Sequence, residues 1–296
     1  KKTTKKMKRI ELPRKIIIGE NAIHTIKEVA ESLNLTYPLI FSDENTKKFG
    51  EIVHNETKGK LITIETKKDF NYDKIKDKKI NFICGVGGGK VIDIAKYYGF
   101  KNKLPVISIP TAASHDGISS PQVSLSGGCS IKVNAPIAII ADTKIIKNAP
   151  KRLTASGFGD VISNYTAVLD WQLANNKTKE YYDDYSASIS KISAEFVMKN
   201  LKKIFDDVDI LVEALINNGI AMAITNSSRP CSGSEHMFSH AIDKLSLKYG
   251  FEKALHGEQC GVGTIISAYL HKADWKKIKK SLKNINAPVN AYDLKI

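Results

Sequence analysis

The chain has 296 residues, 42% of them hydrophobic, which is enough to bury a substantial core and, on size alone, to form two domains. Its formal charge of +14 is spread with the acidic residues along the whole length, the one dense basic cluster is Lys1 to Arg9, and no basic-aromatic alternation accompanies it, which argues against a nucleic-acid partner. No apolar run approaches the ~20 residues of a membrane span and no signal-peptide core follows the basic N-terminus, while Cys84, Cys129, Cys231 and Cys260 lack CxxC or disulfide-scaffold spacing, so a reducing cytoplasm is the expected compartment.

In chain order, Lys15 to Gly19 reads as a strand stopped by glycine, and Asn21 to Leu33 has the apolar spacing of an amphipathic helix. A buried strand at Pro38 to Asp43 is followed by a helix (Glu44 to Val53), a strand (Lys60 to Ile64), a helix (Tyr72 to Lys79) and a strand (Lys79 to Cys84). Alternation with continuously apolar strands predicts a parallel α/β sheet covered on both faces. The glycine-rich stretch GVGGGKVIDIAKYYG comes next, then a strand at Pro105 to Ile109, the loop PTAASHDGISSP, and an extended pair around Ser130 to Val133 and Ile137 to Ile140. From about Ala149 the periodicity turns helical: Gly159 to Leu173, Lys179 to Met198, Asp206 to Ile224, Ser234 to Leu247, Val262 to His271 and Trp275 to Asn284. The turn Asn148-Ala149-Pro150-Lys151 divides the regimes, predicting a nucleotide-binding α/β domain over 1–148 and a helical metal- and substrate-binding domain over 149–296.

Three segments carry chemistry. Gly85 to Lys90 follows an apolar strand and opens a helix with Asp93 on its first turn. Glycines allow close backbone approach and a helix N-terminus offers N–H groups to a pyrophosphate, although a ligand-free tight turn uses the same residues. The loop from Pro110 to Pro121 should lie at the carboxyl end of a strand, where open α/β sheets bind ligands. Its hydroxyls suit a cofactor and Asp116 a substrate hydroxyl, while a solvated loop would be built of the same residues. Ser232 to Glu258 gathers His236, His240 and His256, the first two sharing a helix face. Two imidazoles and a carboxylate would make an open metal site of the catalytic kind. Asp160 is the candidate carboxylate, read equally well as a first-turn or N-cap acid of the helix it opens; Glu258 fits either an imidazole's hydrogen-bond partner or a first-turn acid.

At these residues the sequence resembles the iron-containing-alcohol-dehydrogenase-like superfamily: GGGKVID matches its phosphate loop, GFGD its metal carboxylate, and HxxxHAID followed by HGE its histidine segments. PTAASHDGISSP and SGSEHMFSHAID are similar to the archaeal glycerol-1-phosphate dehydrogenase family within it. The resemblance implies an active site in the cleft between the two domains. It also implies reversible reduction of dihydroxyacetone phosphate to sn-glycerol 1-phosphate by NADH or NADPH, the first step of archaeal phospholipid backbone synthesis. Carried over by position, it implies zinc on Asp160, His236 and His256, with catalytic roles for His240 and Asp116 and substrate contacts on Asp116, Asp160 and His240. It places the cofactor on Gly88, Gly89, Lys90, Val91, Ile92 and Asp93, on Thr111, Ala112, Ala113 and Ser114, and on Ser120. Asp43, ending the second strand, would face the adenosine ribose, with Lys47 and Lys48 near enough to receive a 2′-phosphate. Arg229, Ser232 and Ser234 are the expected donors to the substrate phosphate, Arg229 serving equally well as an ion-pair partner. The rival readings are a glycerol dehydrogenase acting on the unphosphorylated triol and a dehydroquinate-synthase-like lyase. The oligomeric state is not written in these motifs, and a homo-oligomer stays open.

Overall fold

The computed structural model describes residues 8–64, 77–125 and 129–296. Strand β1 (Lys15–Gly19), a 3-10 turn (Ala22–Thr25) and α1 (Ile26–Ser32) lead into β2 (Pro38–Asp43), α2 (Lys47–Thr57) and β3 (Lys60–Ile64). The chain continues through β4 (Phe82–Gly87), α3 (Gly89–Asn102), β5 (Val106–Pro110), a 3-10 turn (Asp116–Ile118), β6 (Gln122–Leu125), β7 (Cys129–Lys132), β8 (Ala138–Asp142) and α4 (Thr143–Lys147). The rest is helical: α5 (Lys151–Thr178), α6 (Asp184–Lys199), a 3-10 turn (Leu201–Lys203), α7 (Asp209–Thr225), α8 (Ser234–Tyr249), α9 (His256–Leu270) and α10 (Trp275–Asn284).

Six strands form one parallel sheet in the order β1-β8-β5-β4-β2-β3. The central strands β4, β5 and β8 are buried at every residue, which is why they read as unbroken apolar runs, whereas the edge strands β1 and β3 keep partial exposure. From β2 the chain steps outward to β3 and then returns to the other side of β2 as β4. The carboxyl ends of β2 and β4 therefore flank a topological switch point, the place where sheets of this kind bind ligands. One apolar cluster runs from the sheet into the helices, joining Ile92, Ile118 and Ile139 to Phe158, Val161, Leu211 and Leu215, so the two halves share a core.

Three expectations need correction. The extended pair is split: β7 pairs antiparallel with β6 in a separate ribbon, and β8 enters the large sheet between β5 and β1. Helix α5 begins at Lys151, behind Pro150, rather than at Gly159, so Asp160 is an interior helical residue and not a cap. Glycines disfavour a helix interior by about 1 kcal/mol relative to alanine, which makes Ser156 to Gly159 look like a loop, but tertiary contact requires them there. A Cβ at Gly157 would run into the Ala113 carbonyl and one at Gly159 into the Gly257 carbonyl. Helix α9 begins at His256 instead of Val262, which puts His256 on its first turn. Most of the helix predicted at Tyr72 to Lys79 lies outside the described residues.

Candidate active site

Asp160 from α5, His236 from α8 and His256 from α9 converge beneath the carboxyl edge of the sheet. Asp160 is 1% exposed; its Oδ2 accepts the Asp116 backbone N–H at 2.8 Å, while Oδ1 has no hydrogen bond. That free oxygen faces His236 Nε2 at 3.7 Å and His256 Nε2 at 3.5 Å, too far for good hydrogen bonds and close to the spacing of donors sharing one ion with bonds of about 2.0 to 2.2 Å. Burial, and then the neighbouring Asp116 carboxylate, push Asp160 up to about 8 against the opposing pull of the His236 ring. Burial, and next the His236 ring, hold His256 far below its usual value, keeping a neutral imidazole suited to ligation. These residues fit a divalent metal.

The surrounding hydrogen bonds orient both rings. Glu235 is fully buried and its Oε1 meets His236 Nδ1 at 3.0 Å, while Oε2 accepts the Thr166 hydroxyl at 2.9 Å. A carboxylate can only accept, so His236 Nδ1 carries a proton; burial opposes the ring's charge, but Cys260 and Glu235 hold it well above its usual value, and a metal bound at Nε2 would displace the proton there. The Ser239 hydroxyl donates to Gln259 Oε1 at 2.6 Å and so receives from His256 Nδ1 at 3.2 Å, which fixes the same tautomer there. Glu258 takes no part: it forms a forked pair with Arg152 at 2.7 and 2.8 Å and caps Leu255 N–H at 2.9 Å, so it is a first-turn acid.

On the sheet side, α3 starts at Gly89 with Gly88 as its N-cap. The His115 imidazole packs onto Gly89 so closely that a Cβ there would overlap it. Val91 and Ile92 bury their side chains completely and return their N–H groups to the Gly88 carbonyl. Asp93 turns inward, accepting Ser124 N–H at 3.0 Å and facing Lys96 Nζ at 3.2 Å. Lys96, 1% exposed, donates to the carbonyls of Gly117 at 2.7 Å, Ser120 at 3.3 Å and Gln122 at 2.5 Å, tying the loop that carries Asp116 to α3. Thr111, Ala112, Ala113 and Ser114 are buried at the end of β5, with Thr111 N–H on the Gly87 carbonyl. Asp43 folds its carboxylate onto the Thr46 N–H and hydroxyl at 3.0 and 2.9 Å, a local turn beside the switch point.

A cavity of about 590 Å³ connects these two sides. Its walls bring together Gly89, Lys90, Asp93 and Ser120 with Asp116, Ser232, His236, His240 and His256. Burial raises the Asp116 carboxyl, and burial followed by His236 lowers His240. The other expected phosphate donors point elsewhere: Arg229 forks onto Glu180 with both contacts at 2.6 Å, and the Ser234 hydroxyl bonds Ser267 at 2.7 Å. Sequence reasoning passed over Glu235, Lys96 and Cys260. Lys96 had a local signal, standing three residues after Asp93 on one helix face. Glu235 had none, because acids are common in a first turn.

Residues 17–150 match the family model for iron-containing alcohol dehydrogenase. The chain is 45% identical over 304 aligned positions to the glycerol-1-phosphate dehydrogenase [NAD(P)+] of Thermococcus sibiricus, covering 97% of this chain and 86% of that one. It is 43% identical to the protein of the same name from Methanosarcina mazei, over 97% and 85% of the two chains. Among solved structures, it superposes with a TM-score of 0.79 on a probable glycerol dehydrogenase from Sinorhizobium meliloti, at 18% identity and over 98% and 86% of the chains. A sulfoacetaldehyde reductase from Bifidobacterium kashiwanohense in complex with NAD+ gives 0.75, also at 18% identity, over 99% and 89%. At that identity the likeness is one of fold.

Proposed function

The chain belongs to the glycerol-1-phosphate dehydrogenase family of the iron-containing alcohol dehydrogenases, and from that premise we propose that it reversibly reduces dihydroxyacetone phosphate to sn-glycerol 1-phosphate with NADH or NADPH. The observation that carries the site assignment is Asp160 Oδ1, a buried and unpaired carboxylate oxygen set between two imidazole nitrogens. Zinc held there by Asp160, His236 and His256 would supply Lewis acidity, favouring the negative charge that develops on the ketone oxygen during hydride transfer.

The chain's own groups then have separable tasks. Glu235 and Ser239 hold the Nδ1 proton of each ring and so leave Nε2 as the nitrogen that faces Asp160. The α3 N-terminus at Gly88 to Lys90, on the cavity wall, would hold the cofactor pyrophosphate through its free N–H groups. Asp116, backed by its own N–H bond to Asp160, orients a substrate hydroxyl. His240, kept neutral by burial and by His236, relays a proton from solvent to the substrate oxygen through its two ring nitrogens. For the phosphate, Ser232 is the donor on the cavity wall.

The test is to strip the protein with a chelator, restore divalent metals one at a time, and follow NADH and NADPH oxidation with dihydroxyacetone phosphate and with dihydroxyacetone. Zinc should restore activity, with the phosphorylated ketone preferred and the product of sn-1 configuration. Equal rates on both ketones would make this a glycerol dehydrogenase, and absence of net NADH oxidation would point to a lyase.

A further inference from the structure

We propose that Cys260 is a fourth protein donor to the metal, so that the resting centre is an aspartate, two histidines and a thiolate. The inference rests on the metal assignment made above. Cys260 follows His256 by four residues on α9 and therefore shares its face. Its Sγ lies 3.5 Å from His256 Nε2, and one ligand atom from each of Asp160, His236, His256 and Cys260 lies within 4.8 Å of all the others. A tetrahedral ion with bonds of about 2.0 Å to nitrogen and about 2.3 Å to sulfur sets those two ligands roughly 3.5 Å apart.

Two further observations point to a ligand. Asp160 Oδ1 is the buried, unpartnered acceptor of the same cluster. The Cys260 sulfur, in a residue with no exposed surface, meets imidazole where a packing cysteine would meet hydrocarbon. The thiol that lines the cavity, Cys231, is differently engaged, with Sγ on the Asn218 carbonyl at 3.6 Å and beside the Ser190 hydroxyl at 3.3 Å. When the metal–sulfur bond forms, the S–H bond breaks and the proton leaves to solvent. A thiolate in the set favours zinc or cobalt over magnesium or manganese. With four protein donors in place, the substrate oxygen enters by expanding the coordination or by displacing the sulfur.

Cobalt(II) reports this directly. The metal-depleted full chain, reloaded with one equivalent of cobalt(II), should show both the visible bands of a four-coordinate ion and a near-ultraviolet sulfur-to-cobalt charge-transfer band. Cys260→Ala and Cys260→Ser should keep the visible bands and lose the charge-transfer band; Cys231→Ala should keep both. Zinc affinity of the Cys260 variants should fall by more than the roughly 10- to 100-fold usual for loss of a mere hydrogen-bond partner of a ligand. Visible bands in the wild type without charge transfer, or a band that survives in Cys260→Ala, would overturn the proposal and leave the three-ligand site standing. Failure of wild type to bind cobalt at all, with Asp160→Asn indistinguishable from it, would remove the metal assignment along with it. A thermal melt of each metal-free variant establishes that it is folded.

Discussion

Glu235 has no exposed atom, and both of its carboxylate oxygens accept hydrogen bonds, from the His236 ring and from Thr166. Glu235→Leu keeps the approximate size but removes both acceptor oxygens, so His236 loses the partner that fixes its tautomer. Zinc affinity, measured by competition with a chelating dye, should drop about 10- to 100-fold; unchanged affinity would mean that Glu235 serves only packing. His240 sits one turn from His236 on the cavity wall and is outside the four-residue donor cluster. His240→Ala should therefore lower kcat by about 10² to 10⁴ while zinc content stays at the wild-type level. Loss of zinc in that variant would exchange the roles of the two histidines.

At the scale of elements, the site depends on how closely α5 and α9 approach. Gly159 faces the Gly257 backbone, and Asp160 and His256 are their immediate neighbours, so the helix contact sets the spacing of these two side chains. Gly159→Ala should push the helices apart, costing about 1–3 kcal/mol in stability and lowering the zinc retained after dialysis. Retention of full zinc with an unchanged melting temperature would contradict this. Lys96 is the equivalent device on the sheet side. Lys96→Met strips the buried Asp93 of its countercharge and frees the carbonyls of Gly117, Ser120 and Gln122, which should cost about 3–5 kcal/mol and speed amide exchange across Gly117 to Ser120. Unaltered exchange there would show that the loop is held without it.

At the scale of the whole molecule, the N-terminal segment is joined to the helical half through Lys8 and Asp183, 3.1 Å apart. Burial opposes the charge on Asp183, but the Ser186 N–H, the Tyr181 hydroxyl and Lys8 hold its carboxyl well below the usual carboxylate range. Such a group binds more protons unfolded than folded, so its stabilisation is complete above the unfolded value of about 3.9 and is lost as the pH falls below it. Asp183→Ala, which also removes the α6 cap, should lower stability by about 0.5–2 kcal/mol at pH 7, and the gap in melting temperature should narrow below about pH 4. A gap that is constant with pH would mean the charge contributes nothing. Among the described residues no helix is long and apolar enough to cross a membrane.

The amino-acid sequence by itself determined the strand and helix alternation, the parallel sheet, the glycine loop at the head of α3, and the residue types of the proposed metal site. These are local matters: burial on both faces writes unbroken apolar runs, and ligand chemistry limits the candidate side chains to carboxylate, imidazole and thiolate. Only the tertiary structure decided that Asp160 lies within α5, that His256 opens α9, and that Arg229 is committed to Glu180. In each case a contact distant in the chain outweighs a local preference: the Gly257 carbonyl calls for a helical glycine, and a carboxylate 49 residues away takes the guanidinium. For the same reason Asp160, His236 and His256, strung over nearly a hundred residues, come together only when α5, α8 and α9 pack. Cys260 stands beside them as the proposed fourth, since a lone cysteine says nothing in sequence until folding sets a sulfur beside an imidazole.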